Sequence, residues 1–260
     1  TQDCFGKVRT KDLMVRAREA YGDAYGEPAL RRFLFRKLLP RPDRLRTLVG
    51  MAALGKLTGL PRLAQHLGLL HWLSPSLEVA EGLVPDMPLF GRFLRDRLRA
   101  MGFTQSGDVL RLEPEHAGGP KVLYFIGCGT NFQLPDVGED ALKLLVLGGC
   151  QVTIAPNCCC GLPPWSYGDI EAARMLAKQN LDTLGALDFD ALVTDCGSCS
   201  GFLKQYPELL PDDPRAADLA SRTRDLTEVL AELDFPRPTG GRQTVTYHDP
   251  CHLGRHSRIY

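Results

Sequence analysis

Cysteine carries the chemistry legible in this chain. Six of its nine cysteines fall in three short groups: Cys128, then Cys158-Cys159-Cys160, then Cys196-Gly197-Ser198-Cys199. Thirty residues separate Cys128 from the Cys159-Cys160 pair, and thirty-five separate that pair from Cys196. Thiols so grouped can hold a metal or cluster, cycle a disulfide, or fill a core inertly. A structural zinc ion takes four ligands, commonly as two close pairs, and five or six cysteines overfill it. A redox Cys-x-x-Cys at a helix N-terminus would use Cys196 and Cys199 alone and leave Cys159 and Cys160 without a role. Inert burial suits Cys150, which opens an apolar run, but not three consecutive cysteines beside Gly161 and Pro163. An iron–sulfur cluster takes several thiolates across long gaps, and its sulfurs accept backbone N–H groups. Gly127, Gly129, Gly161 and Gly197 flank the cysteines and allow that close approach. Cluster chemistry is favoured, and zinc is the main alternative.

Three apolar runs must position these groups: Val122–Ile126, Val152–Ala155 and Ala191–Thr194. Their length, their β-branched and aromatic content and the helix-length segments between them predict buried parallel strands with crossover helices. In an open α/β sheet, ligands sit in the crevice beyond the carboxyl ends of the strands. Each run ends within a few residues of cysteine, so the three groups are expected at one sheet edge. Helices are predicted at Asp136–Leu147, stopped by Gly148-Gly149, at Asp169–Leu184 and at Ser200–Tyr206, with a longer one over Asp213–Leu233 capped by Asp213 and started by Pro214. The second strand is expected from Cys150 to Asn157. The fold class is therefore α/β, a Rossmann-like parallel module over residues 121–243. A fourth strand is expected at Thr244–His248. It repeats the first, since Val122-x-Tyr124-x3-Cys128 matches Val245-x-Tyr247-x3-Cys251. Residues 244–260 then read as the start of a second copy.

An all-helical segment is expected over residues 1–112, with a Pro/Gly-rich linker at 113–120. Thr10 is expected to cap a helix over Lys11–Tyr25, Pro28 opens another, and shorter helices are expected at 43–56, 61–70 and 88–101. Residues 1–120 carry 19 Lys/Arg against 13 Asp/Glu, and residues 121–260 carry 12 against 18, although the whole chain is neutral. The basic half, densest at Arg31–Arg46, suits an acidic partner, the inner face of a membrane, or simply solvent. It lacks the interleaved aromatics of a nucleic-acid site. No signal peptide and no run of eighteen apolar residues is read, so a cytoplasmic setting is expected, and an odd cysteine count there favours metal chemistry over disulfides. No Gly-x-Gly-x-x-Gly follows the first strand, so no nicotinamide or flavin is assigned to this chain. His248 and His252 flank Cys251 and read as loop histidines. Trp165 and Tyr167 read as core packing, and Asp195 and Asp249 stand at strand ends. No catalytic residue is assigned.

Cys128, Cys159-Cys160-Gly161, Asp195-Cys-Gly-Ser-Cys199 and Tyr247-His-Asp-Pro-Cys251-His252 resemble the cysteine-rich CCG domain family. That domain occurs in the cysteine-rich subunit of heterodisulfide reductase, in the anaerobic glycerol-3-phosphate dehydrogenase iron–sulfur subunit, and in the iron–sulfur subunits of glycolate and lactate oxidation. The resemblance covers residues 121–260 well and residues 1–110 loosely. It implies a non-cubane [4Fe-4S] cluster held by Cys128, Cys159, Cys160, Cys196 and Cys199. It further implies that Cys4 ends a preceding ferredoxin-like module and that Cys251 opens a second CCG motif, so that further [4Fe-4S] clusters would belong to a longer protein cut at both ends here. Cys158 makes three cysteines in a row, a departure from the pattern, and Gly161 favours the Cys159-Cys160 pair with Cys158 pointing away. The implied role is an electron-transfer subunit in a hetero-oligomer rather than a stand-alone enzyme. A flavoprotein (FAD) dehydrogenase subunit would oxidise glycolate or lactate, and electrons would pass on toward quinone or another acceptor. A heterodisulfide-reductase-like subunit and a zinc-stabilised scaffold are the alternatives.

Overall fold

The computed structural model describes residues 9–73, 92–116 and 118–233, and near the end 244, 246, 251–256 and 259. Its N-terminal region is helical: α1 (Thr10–Tyr25), α2 (Ala29–Phe33), continued by a π-helical turn at Leu34–Leu38, then α3 (Pro42–Leu57), α4 (Leu60–His66), α5 (Leu69–Leu73) and α6 (Leu94–Arg97). The N-cap of α1 is Arg9 rather than Thr10, and no side chain caps it. Gly59, at φ +72°, turns the chain between α3 and α4.

The sheet follows, with β1 (Thr104–Ser106), β2 (Val109–Leu112), β3 (Lys121–Tyr124), β4 (Gln151–Ile154), β5 (Ala191–Thr194) and β6 (Thr223–Asp225) in the order β1-β2-β4-β3-β5-β6. β4, β3, β5 and β6 are parallel, and β1 and β2 form a hairpin added antiparallel to β4. The three apolar runs thus form the centre of an α/β sheet. Two features, three strands in all, lie where helix or no element was expected. The hairpin is one: Ser106 pairs with Val109 across a two-residue Gly107-Asp108 loop, the short connection that antiparallel strands favour. The other is β6, which interrupts the run expected as one helix over Asp213–Leu233. That run is divided into Pro214–Arg222 and Leu226–Glu232, because Asp225 and Glu228 close a capping box that starts a new helix.

Crossover helices cover both faces. They are α7 (Cys128–Phe132), α8 (Pro135–Leu147), α9 (Leu162–Ser166), α10 (Ile170–Leu184), α11 (Gly197–Leu203), α12 (Tyr206–Leu209), α13 (Pro214–Arg222) and α14 (Leu226–Glu232). Alternate residues of β3 face opposite ways, as the pleat requires. Leu123 and Phe125 join α10 and α11 in one core, whereas Val122, Tyr124 and Ile126 join Leu142 and Leu145 of α8 with Leu94 and Leu98 in the other. Phe35 and Leu39 of the helical region belong to the first core, so that region packs on the module directly. A bidentate ion pair strengthens the junction: Arg36 donates to Asp169 at 3.1 and 2.8 Å, and the same carboxylate caps α10 by accepting from the N–H of Ala172. Arg18 donates to the Ser166 carbonyl, and Lys11 stands 5.1 Å from the Trp165 ring centre. Trp165 and Tyr167 therefore tie the helical region to the loop after the cysteines. The expected strand at Thr244–His248 lies largely outside the described residues, and Cys4, His248 and Asp249 lie outside them entirely.

Candidate metal centre

β3 is the first of the parallel strands, β4 is laid on one side of it and β5 on the other, so the chain switches direction across β3. That switch opens a crevice at the carboxyl ends, and the three cysteine groups fall there. Cys128 begins α7 four residues beyond β3, Cys158–Cys160 cross the loop after β4, and Cys196 is the N-cap of α11 just beyond β5.

Five of these thiols form a string. Cys128 and Cys159, Cys159 and Cys160, Cys160 and Cys199, and Cys199 and Cys196 lie close enough to shift one another's titration. Neighbouring backbone N–H groups lower the proton affinity of four of them: Gly129 for Cys128, Gly161 for Cys159, Leu162 for Cys160, and Ser198 with Cys199 for Cys196. Such donors favour thiolate over thiol. The hydrogen bond from Cys199, with those backbone donors, brings Cys196 down to about 6. Hydrogen bonds from Cys159 and Cys199 hold Cys160 low against complete burial. Cys128 is pushed up by its bond to Cys159 and by the protein around it, although part of its surface meets solvent. Along the string Cys128, Cys159 and Cys199 hold their protons, and Cys160 and Cys196 shed theirs. Among the described residues, no three or more ligating side chains converge as a single metal ion requires.

The other cysteines are different. Cys158 turns its thiol into α10, toward Asn180 Oδ1 at 3.3 Å and the Leu176 carbonyl at 3.6 Å, and burial pushes it up to about 12. Cys150 is buried on the face opposite the string's core, where burial alone raises it to about 11. Cys251 is exposed. Its neighbours pack against α11: His252 Nδ1 is 3.1 Å from Ser198 Oγ, and a side chain at Gly197 would stand 3.5 Å from Leu253.

The loop is held by polar side chains that no sequence pattern singled out. Asn157 Nδ2 donates to the Cys158 carbonyl at 3.0 Å and to Ile126 at 3.0 Å, Asn180 Nδ2 donates to the Cys159 carbonyl at 3.0 Å, and the Tyr206 hydroxyl donates to the Cys160 carbonyl at 2.8 Å. Each carbonyl of the cysteine triplet accepts a side-chain hydrogen bond. Asn180 was detectable in principle, since it is a polar residue on the apolar stripe of Ala173, Leu176, Ala177, Leu181 and Leu184. Arg95, Asn131 and Asn157 gave no comparable signal. Gly161 is required by contact, and Gly127 borders the string. Gly161 sits at φ +101°, and a β-carbon there would meet the Phe202 ring at 3.1 Å and the Ala173 carbonyl at 3.3 Å. At Gly127 it would stand 3.4 Å from Cys199 Sγ, against the string itself. Asp195, just before Cys196, accepts from Thr130 Oγ1 at 2.7 Å. Its other oxygen and the buried Tyr124 hydroxyl lack a well-formed bond but face one another closely enough to interact.

Comparison with known proteins agrees with this geometry. Residues 122–204 match the family model described as "Cysteine-rich domain" (CCG), and residues 26–84 match that of the glycolate oxidase iron–sulfur subunit, linker region. A probable glycolate oxidase iron–sulfur subunit of Bacillus subtilis is 32% identical over 262 residues, covering 96% of this chain and 56% of that protein. Lactate utilization protein A of Shouchella clausii is 36% identical over 141 residues, 52% of this chain and 58% of that one. An uncharacterized iron–sulfur protein of Methanocaldococcus jannaschii is 38% identical over 142 residues, 54% of this chain and 27% of that one. The chain thus spans less than two thirds of each of these relatives. No solved structure matches it. Among the described residues no helix is long and apolar enough to cross a membrane. Over residues 122–204 the chain carries a cysteine-rich domain of the CCG family, set behind a linker of the glycolate oxidase iron–sulfur subunit type.

Proposed function

We propose that this chain is an iron–sulfur electron-transfer subunit of a complex that oxidises a 2-hydroxy acid such as glycolate or lactate. A partner flavoprotein delivers electrons, and quinone or another carrier receives them. In this reading Cys128, Cys159, Cys160, Cys196 and Cys199 hold a non-cubane [4Fe-4S] cluster, which when bound supplies one-electron exchange. The observation that carries it is the five-thiol string from three strand ends, with backbone donors at four of its sulfurs. A string spreads its ligands over several atoms of a cluster, whereas zinc needs four of them around one point.

The chain's own groups do the remaining work. The N–H groups of Gly129, Gly161, Leu162, Ser198 and Cys199 stabilise negative charge on sulfur. Burial of Cys159, Cys160 and Cys199 keeps water from that side, and exposed Cys128 marks the side open to a redox partner. The cavity beside Cys128 and Cys159 is only about 30 Å³, room for about a water molecule. The basic helical region, covalently continuous with the module and packed on it, is the surface we assign to the partner subunit or to the inner face of a membrane.

Anaerobic purification with iron, acid-labile sulfide and zinc analysis tests the centre. About four irons and four sulfides per chain are expected for one such cluster. Cys196→Ser should lose the signal and Cys150→Ser should keep it. Stoichiometric zinc without iron, or an unchanged spectrum in the Cys196 variant, would refute the assignment.

A further inference from the structure

Arg95, on α6, carries a positive charge with no salt-bridge partner among the described residues. Its guanidinium donates to neutral acceptors only: the Ala155 carbonyl at 3.3 Å, the Asn157 carbonyl at 3.4 Å and Asn157 Oδ1 at 2.6 Å. Its own N–H donates to Asn131 Oδ1 at 3.0 Å. Neighbouring cations are paired otherwise: Arg97 with Asp136 and Glu139, and Arg46 with Asp96. No salt bridge forms at Arg95 among the described residues, and Asp43 is the one acid whose charge reaches it. Solvent touches the side chain only in part. Burial lowers its proton affinity to about 10, which still leaves it charged at neutral pH. A cation brought inward costs several kcal/mol unless an opposite charge meets it. The groups that share its cavity include Gly127, Cys128, Asn131, Asn157 and Cys159. The thiols there, Cys128 and Cys159, are held protonated in the chain alone, so the opposite charge would come with a metal group that takes them as thiolates.

We propose that Arg95 is the fixed counter-charge of the metal centre, lying on the Cys128–Cys159 side of the thiol string and biasing the group held there toward its reduced form. The proposal rests on the cluster reading above. Each electron taken up, from the reduced flavin of the partner or from dithionite in the test, adds one negative charge to the site. The guanidinium keeps its proton in both states, so no bond forms or breaks at Arg95. It touches no reacting atom and is a positioning residue whose effect is electrostatic.

The test is a redox titration followed by electron paramagnetic resonance on the anaerobically purified chain, with Arg95→Gln and Arg95→Lys beside it. Removing the charge should lower the reduced-to-oxidised ratio about tenfold at a given potential, a 59 mV shift to more negative values for one electron. Arg95→Lys should stay within about twofold of the unsubstituted chain, well inside that tenfold change. A Gln variant at the unsubstituted potential would overturn the proposal. If the Gln variant folds by circular dichroism but takes no iron while the Lys variant loads, the charge itself is needed and the proposal stands. If both variants lose the fold, Arg95 is a hydrogen-bonding staple and the proposal fails. Iron and sulfide in the unsubstituted chain are measured first, so absence of any cluster counts against the centre and not against Arg95.

Discussion

Of three consecutive cysteines, Cys158 should be dispensable to the metal centre and Cys159 should not. Substitution of each by alanine isolates the difference, because both residues are buried and both lose one sulfur. The Cys158 thiol donates to Asn180 Oδ1 and the Leu176 carbonyl, but Asn180 Oδ1 also accepts the Cys158 backbone N–H at 3.0 Å. Removing the thiol therefore leaves no buried acceptor orphaned. What remains is the lost burial of one sulfur and a cavity of similar size. By comparison with deletion of one or two buried methylenes, that costs about 1–2 kcal/mol. Cys159→Ala should cost the metal-free chain a similar amount, but it cuts the string between Cys128 and Cys160. Urea unfolding of the metal-free proteins should thus fail to tell the variants apart, while iron and sulfide after anaerobic reconstitution should separate them. Cys158→Ala should keep the full complement and Cys159→Ala should fall toward none. Loss of iron in Cys158→Ala with normal unfolding, or retention in Cys159→Ala, would show that the pair begins at Cys158.

Two further expectations concern the frame around the string. Arg36→Leu removes both guanidinium bonds from a carboxylate whose side chain is 1% exposed, but Arg36 itself is 44% exposed, so solvent discounts the loss to about 2 kcal/mol. The urea midpoint should fall accordingly, and a change within about 0.5 kcal/mol, the range of ordinary surface substitutions, would count against that pair. Gly161→Ala places a β-carbon against the Phe202 ring at a left-handed φ. It should cost about 1–3 kcal/mol and lower iron content, because Gly161 follows Cys160 directly. Unchanged stability and loading would show that the loop has another conformation open to it.

The central sheet was readable because each of its strands is short, apolar and bounded by glycine, proline or cysteine. The crossover helices were readable from their caps: Asp169 and Asp213 each accept a backbone N–H at the N-terminus expected for them. What escaped was polar. β1 (Thr-Gln-Ser) and β6 (Thr-Arg-Asp) carry no apolar residue and β2 (Val-Leu-Arg-Leu) is interrupted by arginine, so none shows the apolar run that marks β3, β4 and β5. Asp225-x-x-Glu228 was nevertheless a legible stop and start within the long helical run. At the site, cysteine type and glycine placement pointed to metal chemistry, and the structure brings the five expected thiols together while turning Cys158 away. The side chains that hold the loop came from 157, 180 and 206, and the cation from 95. Their roles depend on which elements the fold lays beside one another, and no local pattern encodes that.

Asp169 has a consequence for the order in which the molecule is built. Its ionic partner, Arg36, lies 133 residues earlier in the chain. During synthesis Arg36 leaves the ribosome first, as domains fold in the direction of translation. When α10 emerges, the cation that neutralises its cap is already waiting, and the loop carrying Cys158–Cys160 closes against a surface formed before it. Contacts so distant in sequence are slow to form. A chain lacking its N-terminal helices would carry the cysteine loop without the guanidinium that meets the Asp169 cap, so the helical region belongs to the frame of the site as well as to the finished fold.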